Sequence, residues 1–143
     1  RDPAAAKVGL RLTEIDRRLL KQILRDFANT PQKAHFDKEF NTNGRRLLLS
    51  VEFDGYSVSA DALRTVASEI WNEEQFAILA DGQYPYPLER FPKLDISLRS
   101  WGPDVDGEVS FRYGYLAGWG FSLQYSYNCM EWQRKIFAVT AIY

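Results

Sequence analysis

The chain has 143 residues, of which 26% are charged and 45% apolar, so it can bury a core of ordinary size without disulfides or metals. Its formal net charge of −1 gives no general attraction to nucleic acid, and we expect no nucleic-acid partner. Cys129 is the only cysteine, which excludes an internal disulfide and a thiolate metal cluster. We predict one domain over residues 1–143, with residues 1–11 as a flexible lead-in.

The apolar runs are much shorter than the roughly 20 residues that a membrane helix needs, so we expect no membrane span. Aromatic residues make up 15% of the chain. Tyrosine-rich sheet domains with few cysteines are frequent outside the cytoplasm, which favours a periplasmic or secreted location.

Two helices are predicted near the N-terminus. Thr13 followed by Asp16 is a capping-box pattern, and an apolar stripe at helical spacing follows, formed by Ile15, Leu19, Leu20, Ile23, Leu24 and Phe27. Thr30 can cap a second short helix that has Pro31 in its first position and carries Ala34, Phe36 and Phe40. The first helix also has a basic face, interpreted as solvated, formed by Arg17, Arg18, Lys21 and Arg25.

The next segment reads as strand, hairpin turn and helix. Alternation over residues 47–53 predicts a strand, Asp54-Gly55 is a hairpin-type turn, and residues 56–58 form a brief return strand. A helix then begins at Ser59 or Asp61 and runs to residue 71. Its extension to residue 79 is an open alternative, because the apolar stripe shifts after Asn72.

The rest of the chain is predicted to be extended. Prolines within residues 84–92 indicate a linker, because each disfavours helix at the residue before it. Residues 94–98 mark a strand, and residues 102–107 its turn. The start of a calcium loop is a weaker interpretation of residues 104–108, because the final glutamate is missing. Three stretches with aromatic residues in every second position follow, beginning at Val109, Trp119 and Trp132.

This order predicts an α+β fold, in which N-terminal helices pack on a curved antiparallel sheet that ends in an aromatic-rich meander. Gly114 and Gly120 face away from the aromatic row and can allow the sheet to bend. The order of elements resembles the cone-shaped fold typified by nuclear transport factor 2, over most of the chain but without a shared motif. Such a fold implies a pocket between helices and sheet. A cystatin-like arrangement, with one long helix across a meander, is the alternative.

Catalytic signatures are weak. His35 is the only histidine and has no compelling orienting partner, and a catalytic Cys129 would have to meet His35 across the fold. We therefore predict no catalytic residues, no metal site and no cofactor. The leading hypothesis is a non-catalytic protein-binding module, such as an inhibitor, an immunity-type protein or an accessory protein of the cell envelope.

The aromatic residues supply three candidate sites. Partner-binding residues would be Tyr84, Tyr86 and Trp101, because Tyr and Trp are favoured interface anchors. A homodimer could form through an exposed sheet face that carries Phe137, Val139 and Tyr143. The alternative function is a small-molecule binder or simple acid/base enzyme, with Asp54, Asp95 or Glu108 as the acid group. Its aromatic pocket would be lined by Tyr113, Tyr115, Trp119, Phe121 and Tyr125.

Overall fold

The computed structural model describes residues 17–41, 44–81 and 92–143. The predicted lead-in, the capping box at Thr13 and nearly all of the proline-rich linker lie outside these residues. The described helices are α1 (Arg17–Ala28), α2 (Pro31–Glu39) and α3 (Ala60–Ala67). The described strands are β1 (Leu47–Phe53), β2 (Tyr56–Ser57), β3 (Phe76–Ile78), β4 (Lys93–Trp101), β5 (Asp104–Gly114), β6 (Ala117–Asn128) and β7 (Glu131–Ile142).

All seven strands form one curved, mostly antiparallel sheet, so the predicted α+β class is confirmed. The strand order is β2-β1-β4-β5-β6-β7, and β3 pairs with β1 beside β2. Strands β4 to β7 form the predicted antiparallel meander. Strand β1 pairs in parallel with both β3 and β4, which the sequence analysis did not predict. Two parallel strands need a long connection between them. The connection from β1 to β3 contains β2 and α3.

Helix α1 packs on one face of the sheet, called here the helix-side face. Its buried surface is the described part of the predicted apolar stripe, which comprises Leu19, Leu20, Ile23, Leu24 and Phe27. Phe27 is fully buried, with its ring 5.0 Å from that of Phe111 and 6.1 Å from that of Phe121. Burying an aromatic side chain of this size contributes roughly 1.5–3 kcal/mol. The stripe therefore holds α1 on the middle of the meander.

Three segments differ from their sequence-based predictions. The helix predicted to run to residue 71 ends at Ala67, and residues 68–70 form a turn. Residues 76–78 form strand β3 and do not extend the preceding helix, because Phe76 and Ile78 are buried beside β1 while Ala77 is only partly buried. Residues 104–107 belong to β5, and only Gly102 and Pro103 form the turn before it. Val105 lies buried opposite Tyr125, so packing into the core outweighs the local turn preference.

Close strand approach depends on Gly107 and Gly118. A Cβ atom on Gly107 would collide with the Ser97 carbonyl oxygen, and one on Gly118 would collide with the Phe111 carbonyl oxygen. Gly120 lies on the face opposite the helices, where a Cβ atom would come 3.2 Å from the Tyr143 hydroxyl. None of the described helices is long and apolar enough to cross a membrane.

Candidate functional site

An aromatic cluster lies at the end of the sheet where β5 turns into β6. We define it as His35, Phe40, Tyr113 and Trp119, with Ile142 beside it. The ring centroids of Phe40 and Tyr113 are 4.7 Å apart and stacked, and those of Tyr113 and Trp119 are 5.4 Å apart. The His35 ring lies edge-on to Phe40 at 5.3 Å and to Trp119 at 6.3 Å.

Helix α2 brings the first two members to this place. The Thr30 hydroxyl accepts a hydrogen bond from the Lys33 amide at 3.2 Å, so the predicted cap and the Pro31 start are confirmed. Phe36 is buried, and its ring lies 5.1 Å from that of Phe111. Phe40 ends the helix one turn later, so it reaches Tyr113 at the edge of the core.

The cluster presents apolar surface to solvent. Phe40 is 51% exposed, and Ile142, the β7 partner of Trp119, is 79% exposed. The turn beside them carries Tyr115 and Leu116, which are also highly exposed. Contiguous apolar patches are uncommon on monomeric proteins and are often functional.

The five residues predicted to line a pocket are divided by the structure. Tyr113 and Trp119 are half-buried in the aromatic cluster, and Tyr115 is 83% exposed at the neighbouring turn. Phe121 and Tyr125 lie farther along β6 and are buried beneath α1. The structure thus brings two of the five together in the cluster, places one beside them and puts two in the core.

The sequence analysis missed a polar contact within that core. The Tyr125 hydroxyl donates a hydrogen bond to the Asp26 carboxylate, and Arg134 Nη1 lies 3.7 Å from the other oxygen of Asp26. Burial and then the hydrogen bond to Asp26 raise the pKa of Tyr125 above its ordinary value of 10.0. The signal in the sequence was an acidic residue at the border of the apolar stripe of α1.

The carboxylates named for the enzyme alternative lie elsewhere. Asp54 accepts hydrogen bonds from the amide and the hydroxyl of Ser100, both at 2.8 Å. Asp95 and Glu108 lie on the face opposite the helices, as the alternation of their strands predicted. Burial raises the pKa of Asp95, and Lys93, 3.6 Å away, opposes this shift.

A polar groove of about 540 Å³ runs over the face opposite the helices. Two of its lining residues form an ion pair, in which Arg99 Nη2 lies 3.2 Å from an Asp106 carboxylate oxygen. The groove is lined by Asp54, Gly55, Ser97, Leu98, Arg99, Asp106, Gly107, Glu108, Ser122 and Leu123.

Among the residues that the structure describes, no group of three or more His, Cys, Asp and Glu side chains could hold a metal ion. His35 is exposed, and Cys129 is exposed in the β6–β7 turn, where its φ of 52° is left-handed. The His35 ring contacts the rings of Phe40 and Trp119, and the Cys129 thiol donates to the Asn128 side-chain oxygen at 3.4 Å, so none of these contacts is with a carboxylate that could orient a catalytic group.

Of the residues predicted to bind a partner, the structure describes only Trp101. Trp101 is 71% exposed at the end of β4, while Tyr84 and Tyr86 lie outside the described residues. Of the residues predicted at a dimer interface, Phe137 and Val139 are on the helix-side face, and the Phe137 ring packs 5.5 Å from that of Phe121. Tyr143 lies over the opposite face, with its ring centroid 4.4 Å from the Arg112 guanidinium.

Comparisons with known proteins add no functional information. The chain matches no protein-family model, and no curated protein or solved structure is significantly similar to it. The likeness to the nuclear transport factor 2 fold and the cystatin-like alternative therefore stay predictions about the arrangement of helices and sheet.

Proposed function

We propose that this protein is a non-catalytic binding module that engages another protein through the aromatic cluster. The observation that carries the proposal is the exposed apolar surface that Phe40 and Ile142 form beside Tyr113 and Trp119. Aromatic side chains contribute a large contact area with few rotatable bonds, which makes them effective interface anchors. An inhibitor, an immunity-type protein or an accessory protein of the cell envelope would use such a surface.

The neighbouring stacked rings support this proposal. Phe40, Tyr113 and Trp119 hold one another in place, so little side-chain freedom remains to be lost when a partner covers them. A periplasmic or secreted location is part of the proposal, and its support is the composition of the chain: many aromatic residues and a single cysteine.

The test compares three forms of the full chain, immobilised and exposed to extract from its native source: wild type, Ile142→Ser and Trp101→Ser. Ile142 and Trp101 are both highly exposed apolar residues, at separate places in the sheet, so neither change should unfold the protein. We expect Ile142→Ser to weaken capture of a specific protein by at least about tenfold, the size of a moderate hot spot, and Trp101→Ser to leave it unchanged.

Equal capture of the partner by all three forms would contradict binding through the aromatic cluster. Weaker capture by Trp101→Ser alone would indicate that the interface lies at the end of β4. Native mass spectrometry of gently purified protein supplies a second readout. A reproducible small-molecule adduct would favour the alternative function, a small-molecule site, over the binding module.

A further inference from the structure

We propose that the edge of β7 with which no described strand pairs binds an extended acidic segment of the protein partner as an additional antiparallel strand. This inference rests on the proposed function and specifies the chemistry of the partner. It concerns a surface that adjoins the aromatic cluster, because Ile142, the last residue of β7, pairs with Trp119. A partner that covers the aromatic cluster could therefore continue along β7.

Strand β7 is a long edge strand. It comprises 12 residues, pairs with β6 on one side and is the last strand in the described sheet. Along its other side, no strand of the described residues satisfies its backbone N–H and C=O groups. An added strand can satisfy such groups by main-chain hydrogen bonding, which is a recurrent mode of peptide recognition.

Both faces of β7 can accept side chains from an added strand. Val139 and Ile142 are exposed on the helix-side face, and Ile136 is 46% exposed on the opposite face. Side chains of an added strand would point alternately to these two faces. Apolar residues of the partner can thus cover the C-terminal half of β7 on the helix-side face, and Ile136 at the middle of the strand on the opposite face.

The N-terminal half of β7 is flanked by positive charge. Helix α1 carries four basic side chains and one acidic side chain, and β7 carries two basic and one acidic, although the whole chain has a net charge of −1. Arg18 Nη1 donates a hydrogen bond to the Met130 carbonyl at 3.3 Å, so α1 lies beside the start of β7. The exposed cations along this flank are Arg18, Arg25, Arg134 and Lys135.

The acidic groups of the same flank do not cancel this charge. Asp26 lies 3.7 Å from Arg134 and offsets its charge, and Glu131 is the other carboxylate, so the four cations outnumber the acidic groups by two. An opening of about 350 Å³ between α1 and β7 gives room for partner side chains. Because the added strand is antiparallel, its C-terminal half would be the acidic half.

A second copy of this chain suits the edge less well. Two-fold antiparallel pairing of β7 with itself would place the basic half of each copy against the apolar half of the other, so the two surfaces would not be complementary. The pairing of β7 with β6 also has an extra residue at Lys135 and another at Thr140. Bulges and edge lysines are features that protect edge strands from indiscriminate pairing.

The test is a nuclear magnetic resonance titration of the ¹⁵N-labelled full chain at low salt. The probe is a peptide that alternates Thr and Val in its N-terminal half and Thr and Glu in its C-terminal half. A matched peptide has Lys in place of Glu. We expect the acidic peptide to shift the amide signals of β7 and slow their hydrogen exchange, and to bind at least tenfold more tightly than the basic peptide. Added salt should weaken this binding.

Charge reversals test the contribution of the basic flank. Lys135→Glu changes an exposed side chain of β7, and Arg25→Glu changes an exposed side chain of α1, two helical turns after Arg18. Arg46→Glu is the matched control just before β1, four positions away in the sheet. We expect each of the first two to weaken binding of the acidic peptide by about threefold or more, as loss of a nearby exposed charge would. The Arg46 variant should bind like wild type.

The proposal is wrong if the amide shifts fall outside β7, or if the two peptides bind with equal affinity. It is also wrong if Arg46→Glu weakens binding of the acidic peptide as much as Arg25→Glu and Lys135→Glu do. If the protein is a dimer and the β7 amides are protected from hydrogen exchange without peptide, the edge of β7 binds a second copy of the chain instead. Failure here is distinct from failure of the proposed function: if Ile142→Ser still abolishes capture of the partner, the aromatic cluster binds it without strand addition.

Discussion

At the scale of single residues, the contact between Tyr125 and Asp26 joins the sheet to α1. Tyr125 has no exposed surface, and its hydroxyl donates to a carboxylate that also attracts Arg134. Burial disfavours the charged phenolate, and the negative Asp26 disfavours it further, so the folded protein holds the phenol proton more firmly than the unfolded chain does.

This contact should make folding sensitive to alkaline pH. Below pH 10 the phenol is protonated in both states, but above it the unfolded chain loses the proton while the folded protein keeps it. The free energy of unfolding should therefore fall above pH 10, by up to about 1.4 kcal/mol per pH unit from this group.

Urea denaturation of wild type and Tyr125→Phe between neutral pH and pH 11 would measure this dependence. The variant should be less stable at neutral pH by about 1–3 kcal/mol, because Asp26 loses its donor, yet its stability should decline less steeply with pH. Tyr115→Phe changes an exposed tyrosine and should follow wild type. Parallel curves for Tyr125→Phe and wild type would contradict the raised pKa.

At the scale of secondary-structure elements, the junction of α1 and α2 orients the aromatic cluster. The Thr30 hydroxyl donates to the Phe27 carbonyl at 2.8 Å and accepts from the Lys33 amide at 3.2 Å. It thereby satisfies a carbonyl at the end of α1 and an amide at the start of α2. The Thr30 side chain thus joins α1 to α2, and the burial of Phe36 holds α2 on the sheet, so both contribute to placing Phe40.

Thr30→Ala should lower the free energy of unfolding by about 1–2 kcal/mol, because both hydrogen bonds are lost at a buried helix cap. It should also change the near-ultraviolet circular dichroism of the ring cluster. Thr65→Ala removes an exposed hydroxyl within α3 and should change stability by less than about 0.5 kcal/mol. A chemical denaturation series that shows equal losses for the two variants would refute the capping role.

At the scale of the whole molecule, the two ends of the sheet are unlike. One end has the two-residue strand β2 and the three-residue strand β3, both paired with β1. The other end is the 12-residue strand β7. The exposed basic side chains of α1 and β7 lie at this second end, and they are Arg18, Arg25, Arg134 and Lys135. The long edge, the basic flank and the aromatic cluster therefore meet on one side of the molecule, which is where we place the partner.

Amide hydrogen exchange can measure this asymmetry in the free protein. Strand β5 is paired on both sides, by β4 and β6, and its amides should exchange slowest. About half of the amides in β7 should exchange much faster, because alternate residues of an edge strand point their N–H groups away from the neighbouring strand. If the β7 amides exchanged as slowly as those of β5, another segment or molecule would already cover the edge of β7.

Local chemistry accounts for the elements that were predicted correctly. The buried stripe of α1 has helical spacing, and Thr30 with Pro31 marks the start of α2. Asp54 and Gly55 adopt the positive φ values, 50° and 85°, that a tight two-residue hairpin turn requires. Strand β3 was missed because three residues are too few to show a period of two.

The candidate site was predicted only in part. Alternation along β5 and β6 singled out Tyr113 and Trp119, but the same pattern also selected Phe121 and Tyr125, which are core residues. The position of α1 separates the two groups, because the helix covers one part of the aromatic row and leaves the other near solvent. His35 and Phe40 reach the aromatic cluster from α2 and its C-terminal cap. No spacing in the sequence predicts that they contact Tyr113 and Trp119 of the sheet.

The sequence by itself determined the buried face of α1, the Asp54-Gly55 hairpin turn, the antiparallel meander and the α+β class, since each depends on side-chain periodicity or turn chemistry within a few residues. Only the tertiary structure decided the parallel pairing of β1, the burial of Tyr125 against Asp26 and the position of β7 at the sheet edge. These features depend on which distant segments pack together. An interior strand and an edge strand can carry the same alternation, because alternation specifies the two faces of a strand and leaves its neighbours unspecified.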